Sequence, residues 1–143
     1  MKVSTITLFL FISLPIFSQE EWGSLKNSTL TIKEIAPIWP GCEAGNSTKR
    51  DACFNDMLMK HINANFRYPA NEYKNNIQGE VIVDFVINTE GLVEITSIDG
   101  GNKGLQEVCK KIILSIPKMK PGMFGGKPSA VPYTVPFNFK TGK

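Results

Sequence analysis

Residues 79–98 read GEVIVDFVINTEGLVEITSI, and the period of this stretch decides the fold. Val81, Val83, Phe85 and Ile87 alternate with positions that include Glu80 and Asp84. A strand from Gly79 to Ile87 therefore has one continuous apolar face, with Glu80 and Asp84 on the other. Asn88-Thr89-Glu90-Gly91 is turn chemistry, and Leu92 to Ile98 reads as a second strand. Two such runs joined by a short polar segment form an antiparallel hairpin.

Toward the C-terminus the period changes to that of a helix. Gly100-Gly101-Asn102-Lys103-Gly104 leads into Leu105, Val108, Cys109, Ile112, Ile113 and Ile116, one stripe of an amphipathic helix that Pro117 ends. A proline- and glycine-rich loop is expected from Lys118 to Ser129. Val131 to Phe139 returns to period two, with Val131, Tyr133, Val135, Phe137 and Phe139 facing the core. Pro132 and Pro136 lie on the other parity and remove backbone donors from one hydrogen-bonding side only. A strand so altered belongs at an edge, with its intact side paired inward.

Toward the N-terminus, Phe54, Met57, Leu58, His61 and Ile62 predict a helix over Asp51 to Asn65. Tyr68-Pro69 breaks it, because the residue before proline avoids the helical region. A short helical turn from Pro69 to Lys74 follows, with proline at its first position. The expected fold is α+β, in the order αββαβ. Its three-stranded antiparallel sheet takes the order 2-1-3 (hairpin second, hairpin first, last strand) and is covered on one face by two helices.

The chain's ends and composition bound its class. Met1-Lys2 followed by apolar residues to Phe17, with Ser18 before Gln19, has the layout of a cleavable secretory signal over residues 1–18. The apolar run is shorter than the roughly 20 residues of a membrane-crossing helix. Residues 19–39 read as a lead-in, and 40–143 as the domain. With Lys2 removed, 15 basic residues face 13 acidic ones, too even a balance for a nucleic-acid surface. Lys110, Lys111, Lys118, Lys120 and Lys127 read as a solvated face. An exported chain is expected to be periplasmic, where disulfides form. Cys42 and Cys53 are close in sequence and are paired, leaving Cys109 free on the helix stripe. The single histidine, His61, and the absence of metal-ligand spacing leave no metal or cofactor site to assign. No pair of titratable groups has reactive spacing, so no catalytic residue is assigned.

Taken in order, these residues resemble the TonB C-terminal domain family, in its Bacteroidetes-type form. The matching pieces are Pro40-Gly41-Cys42 before the helix that holds Cys53, then Tyr68-Pro69, then Ile77-Gln78-Gly79 before the first strand. Gly91 in the turn, Leu105 and Glu107 in the helix, Pro117 to Gly122, Gly126-Lys127-Pro128 and Pro136-Phe137-Asn138-Phe139 complete the set. The resemblance spans about residues 37–140. Glu72 stands where the family has alanine, Asn76 where it has glycine, and Met119 where it has tryptophan.

The resemblance implies a binding module rather than an enzyme. Such a domain engages the terminal segment of an outer-membrane TonB-dependent transporter by β-strand addition and passes on energy from an inner-membrane motor. Partner-binding residues carried over are Tyr68, Pro69, Val131, Tyr133, Thr134, Val135, Phe137 and Asn138. The motor complex would be a partner only if the N-terminal segment is retained as an anchor. The alternative is a soluble periplasmic adaptor, competitor or structural protein of the same fold, acting on another partner or the cell wall. An exposed edge strand also suits a homodimer.

Overall fold

A computed structural model describes residues 34–143. The expected signal peptide and residues 19–33 of the lead-in lie outside the described residues. In chain order the elements are β1 (Glu34–Ile35), α1 (Ser47–Asn65), α2 (Ala70–Lys74), β2 (Gly79–Ile87) and β3 (Val93–Asp99). They continue as α3 (Lys103–Leu114), β4 (Gly122–Phe124), β5 (Lys127–Ser129) and β6 (Val131–Phe139).

The main sheet is antiparallel with the order β3-β2-β6, which is the expected order. On β2, Val81, Val83, Phe85 and Ile87 are fully buried. Phe54, Leu58 and Ile62 of α1 and Leu105, Cys109, Ile112 and Ile113 of α3 join them in the same core. Each large apolar side chain so buried contributes about 1.5–3 kcal/mol. The two periods read from the sequence thus meet: a period-two face lies under two helical stripes.

The helix ends follow from capping rather than from hydrophobicity. α1 begins at Ser47, four residues before the expected Asp51, because Asn46 caps it by accepting from the Lys49 amide at 3.0 Å. That cap is worth about 1 kcal/mol and lies outside the apolar period. Asn102 caps α3 in the same way, accepting from the Leu105 amide at 2.9 Å. Pro69 is the N-cap of α2, extended at ψ 136°, rather than its first helical residue.

The expected loop over 118–129 contributes β4 and β5 to a second sheet, of order β1-β4-β5. Gly125-Gly126 joins β4 to β5 as a two-residue hairpin turn, both glycines at positive φ. Strands of three residues carry too little alternation to be seen. β1 pairs with β4, and Ile38 bridges Lys120, so the chain before α1 is strapped onto the domain. Pro37 and Trp39 of this strap are buried, and the Trp39 ring meets Phe54 edge-on at 5.8 Å.

Cys42 and Cys53 form the expected disulfide, fastening the strap to α1. Closing a loop of that length contributes about 3 kcal/mol by constraining the unfolded chain. Cys109 is free and buried, and burial pushes its thiol up to about 12, so it is held as an inert apolar residue. His61 packs beside Trp39, with Nε2 3.0 Å from both the Ile112 carbonyl and the Ser115 hydroxyl. No helix among the described residues is long and apolar enough to cross a membrane.

Candidate functional site

β6 is an edge strand with one side committed and one side open. It is registered against β2 over its whole length, from Gly79↔Phe139 to Ile87↔Val131. In an antiparallel pair, residues alternate between those that exchange both backbone bonds and those whose groups point away. Pro132 and Pro136 have no N–H, so the bonded set is Val131, Tyr133, Val135, Phe137 and Phe139. The amides of Thr134 and Asn138, and the carbonyls of Pro132, Thr134, Pro136 and Asn138, then face outward. No other described strand pairs with this side.

The prolines also act against self-association. Two copies of β6 pairing antiparallel about Thr134 would set each Pro132 opposite the partner copy's Pro136. The two pairs flanking the central Thr134 pair would have no donors. Edge prolines are a common way to blunt such contacts.

The five odd residues all point to the helix side, but only Phe137 and Phe139 are fully buried; Val131, Tyr133 and Val135 are half-buried. The difference arises because α1 stands off from this part of β6. A groove of about 380 Å³ opens between them, lined by Leu58, Met59 and Ile62 of α1 and by Thr134, Val135 and Pro136 of β6. Met59 is 54% exposed, although its neighbours on the core stripe are buried. A second depression of about 220 Å³ adjoins at the Tyr133 end, lined by Ala36, Asp51 and Phe54, and Asn55 borders both. The Tyr133 ring stacks on Phe54 at 4.9 Å and on Phe85 at 5.6 Å. Burial, and then the Asp51 carboxylate, push its hydroxyl up to about 12.

Tyr68 lies at the far end of the same strand. Its ring meets Phe139 edge-on at 5.4 Å, and its hydroxyl donates to the Ile77 carbonyl. The expected site residues therefore run along one edge, with Tyr68-Pro69 at the Phe139 end and Val131 and Tyr133 at the other. Past β6, the Thr141 amide donates to Gln78 Oε1 at 3.1 Å and the Thr141 hydroxyl to Asn76 Oδ1. Gln78 of the Ile77-Gln78-Gly79 step thus anchors the chain that leaves the edge. Cys42 and Cys53 are away from this edge strand in sequence and act on the strap.

The three departures from the family pattern have local accommodations. Asn76 is left-handed at φ 53°, a conformation asparagine tolerates better than most residues. Glu72 packs its carboxylate against Gly104 in the first turn of α3, where its Oε1 accepts from Asn102 Nδ2 at 3.3 Å. A negative charge is favourable at a helix N-terminus. Met119 is buried in the core.

Reading the sequence for one apolar stripe on α1 missed Asp51, Asn55 and Met59. They recur every four residues and so share a face beside the core stripe. A large apolar residue, Met59, off the main stripe was the only available signal.

On the outer face, Asp84 of β2 ties the three strands together. Its carboxylate accepts from the Thr134 hydroxyl on β6 and the Ser97 hydroxyl on β3, the latter at 2.8 Å. These two bonds, Thr134 first, hold its pKa below the ordinary 3.8. A depressed pKa means that the unfolded chain takes up the proton more readily than the folded one. The stabilisation is complete above pH 3.8 and is lost as pH falls through the lower folded value. Urea unfolding of the wild type and Asp84→Asn is expected to show a stability gap at pH 7 that shrinks in acid below pH 3.8. A gap that is constant with pH would contradict the ionised clamp.

The family model for the Gram-negative bacterial TonB protein C-terminal matches residues 64–141. Among solved structures, two NMR solution structures of the Helicobacter pylori TonB C-terminal domain are similar. The first has 22% identity and a TM-score of 0.44, covering 68% of this chain and 96% of that one. The second has 22% identity and a TM-score of 0.39, covering 63% and 96%. A search of curated proteins finds no match. The family match takes in α2, the whole main sheet, α3 and the tail anchored by Gln78, more than half of the chain, and the chain belongs to the family of Gram-negative bacterial TonB protein C-terminal domains.

Proposed function

We propose that this domain is exported to the periplasm and binds the terminal segment of an outer-membrane transporter as an added strand on β6, in energy-coupled transport. The observation that carries the reading is the open side of β6, a nine-residue edge strand fully paired inward with β2. Strand addition draws its affinity from main-chain hydrogen bonds along such an edge. The prolines make this edge rich in acceptors and poor in donors. Each bond it forms is worth about 0.5–1.5 kcal/mol net, so binding is weaker than on a proline-free edge. Tyr68 and Pro69 flank the strand's end, where the incoming segment would enter or leave.

The test is site-specific photo-crosslinking in the native host, with the reactive residue at Thr134 and a control at Glu94 on β3. Adducts between position 134 and the terminal segments of outer-membrane transporters, absent at 94, are expected. Adducts to cell-wall proteins, to a second copy, or equally from both positions would overturn the transport reading.

A further inference from the structure

The two adjoining spaces beside β6 differ in charge as well as in shape, and together they describe a partner. This inference rests on strand addition at β6 and adds the side-chain chemistry of the added strand. Side chains of an added strand alternate between the two faces of the sheet. Those on the helix side would lie over the spaces between α1 and β6, beyond Tyr133 and Val135. The space at Val135 is walled mainly by apolar side chains, Leu58, Met59, Ile62 and Pro136, with the uncharged polar Asn55 and Thr134 completing it. The adjoining space at Tyr133 is bordered by Asp51, an exposed carboxylate. Among the described residues the one ion pair is Lys60 with Asp56, so Asp51 has no cationic partner there. The neighbouring Arg50 donates to the Gly45 carbonyl at 2.9 Å instead.

Tyr133 and Val135 are two residues apart on one face of β6, so the residues of an added strand that meet these spaces are also two apart. We infer that the β6 edge selects an extended partner segment carrying an aliphatic residue over Val135 and a basic residue two positions away, over Tyr133 and beside Asp51. Charge complementarity with Asp51 and continuity of the groove with the open strand edge both support this occupant. On the outer face the same segment meets Pro132, Thr134 and Pro136, where small polar residues suffice.

The test uses the full chain and capped nine-residue peptides of alternating threonine and valine, in which one valine is replaced by lysine or by glutamate. Affinity is read by fluorescence anisotropy and the site by amide NMR shifts at Thr134 and Asn138. The lysine peptide is expected to bind about fivefold to tenfold more tightly than the glutamate peptide, since attraction in one is repulsion in the other. The preference should weaken with salt. Asp51→Lys, an exposed change, should reverse the preference, and Met59→Ser, which removes apolar wall without adding charge, should weaken every peptide. Peptides that shift the β6 amides with equal affinity for lysine and glutamate would overturn this inference and leave strand addition standing. A set that shifts no β6 amide would overturn both.

Discussion

Gly91→Val is expected to remove more than about 4 kcal/mol of stability, enough to leave much of the chain unfolded at 37 °C. Gly91 sits at φ +81°, and a Cβ built there would lie 1.7 Å from the Met119 carbonyl oxygen. Every atom in that clash is backbone, so no rotamer relieves it. The Met119 amide donates to the Gly91 carbonyl at 3.0 Å, which makes the close approach part of the fold. Asn88 fixes the turn from the other side, its Oδ1 accepting from the amides of Glu90 and Leu92. A β-branched residue costs about 1–2 kcal/mol for the left-handed backbone alone. The rest comes from pushing away the segment that carries buried Met119. Gly125→Val separates the two contributions, because Gly125 has φ +58° and nothing within 4 Å of its Cβ position. Urea midpoints should show the small loss at 125 and the large one at 91; equal losses would mean that the approach to Met119 does not matter.

That glycine illustrates what the sequence could and could not say. Gly91 was legible as a turn residue, but its contact with Met119 joins segments 28 residues apart, and no local pattern encodes it. The main sheet was legible because every second residue of β2 and β6 is apolar along one face, even though Ile82 and Val86 add apolar residues on the other. The parity of Pro132 and Pro136 also placed β6 at an edge and fixed which side of it pairs. The second sheet was not legible: β1 has two residues, and β4 and β5 have three each. Their pairing is decided by the strap docking around buried Pro37 and Trp39. The candidate edge followed from the sequence, whereas its groove did not. A groove is a space between two elements, set by how far α1 stands off from β6, and periodicity reports only which residues face inward. Asn76 lies between these cases. The residue type signalled tolerance of positive φ, and the structure has it there at 53°.

Phe85→Ala is expected to cost about 4 kcal/mol, the usual loss for deleting a buried aromatic ring. Phe85 is 1% exposed at the centre of β2, where side chains from both helices and the flanking strands meet. Ile82 on the same strand is 36% exposed on the outer face, so Ile82→Ala should cost under about 1 kcal/mol. A loss at Phe85 no larger than that at Ile82 would mean that the inward face of the sheet has been misassigned. The ring has a second role, because Tyr133 lies between Phe85 and Phe54 and so links β2 through β6 to α1. Stacked aromatic pairs contribute about 0.5–1.5 kcal/mol beyond the area they bury. A double-mutant cycle of Phe85→Ala with Tyr133→Ala should therefore show a coupling of that size. Coupling places the groove wall at Tyr133 under the control of the core. Peptide binding at the β6 edge should then weaken in Phe85→Ala even under conditions where the variant remains folded. Strictly additive losses would instead make Tyr133 an independent edge residue, and binding would survive the core change.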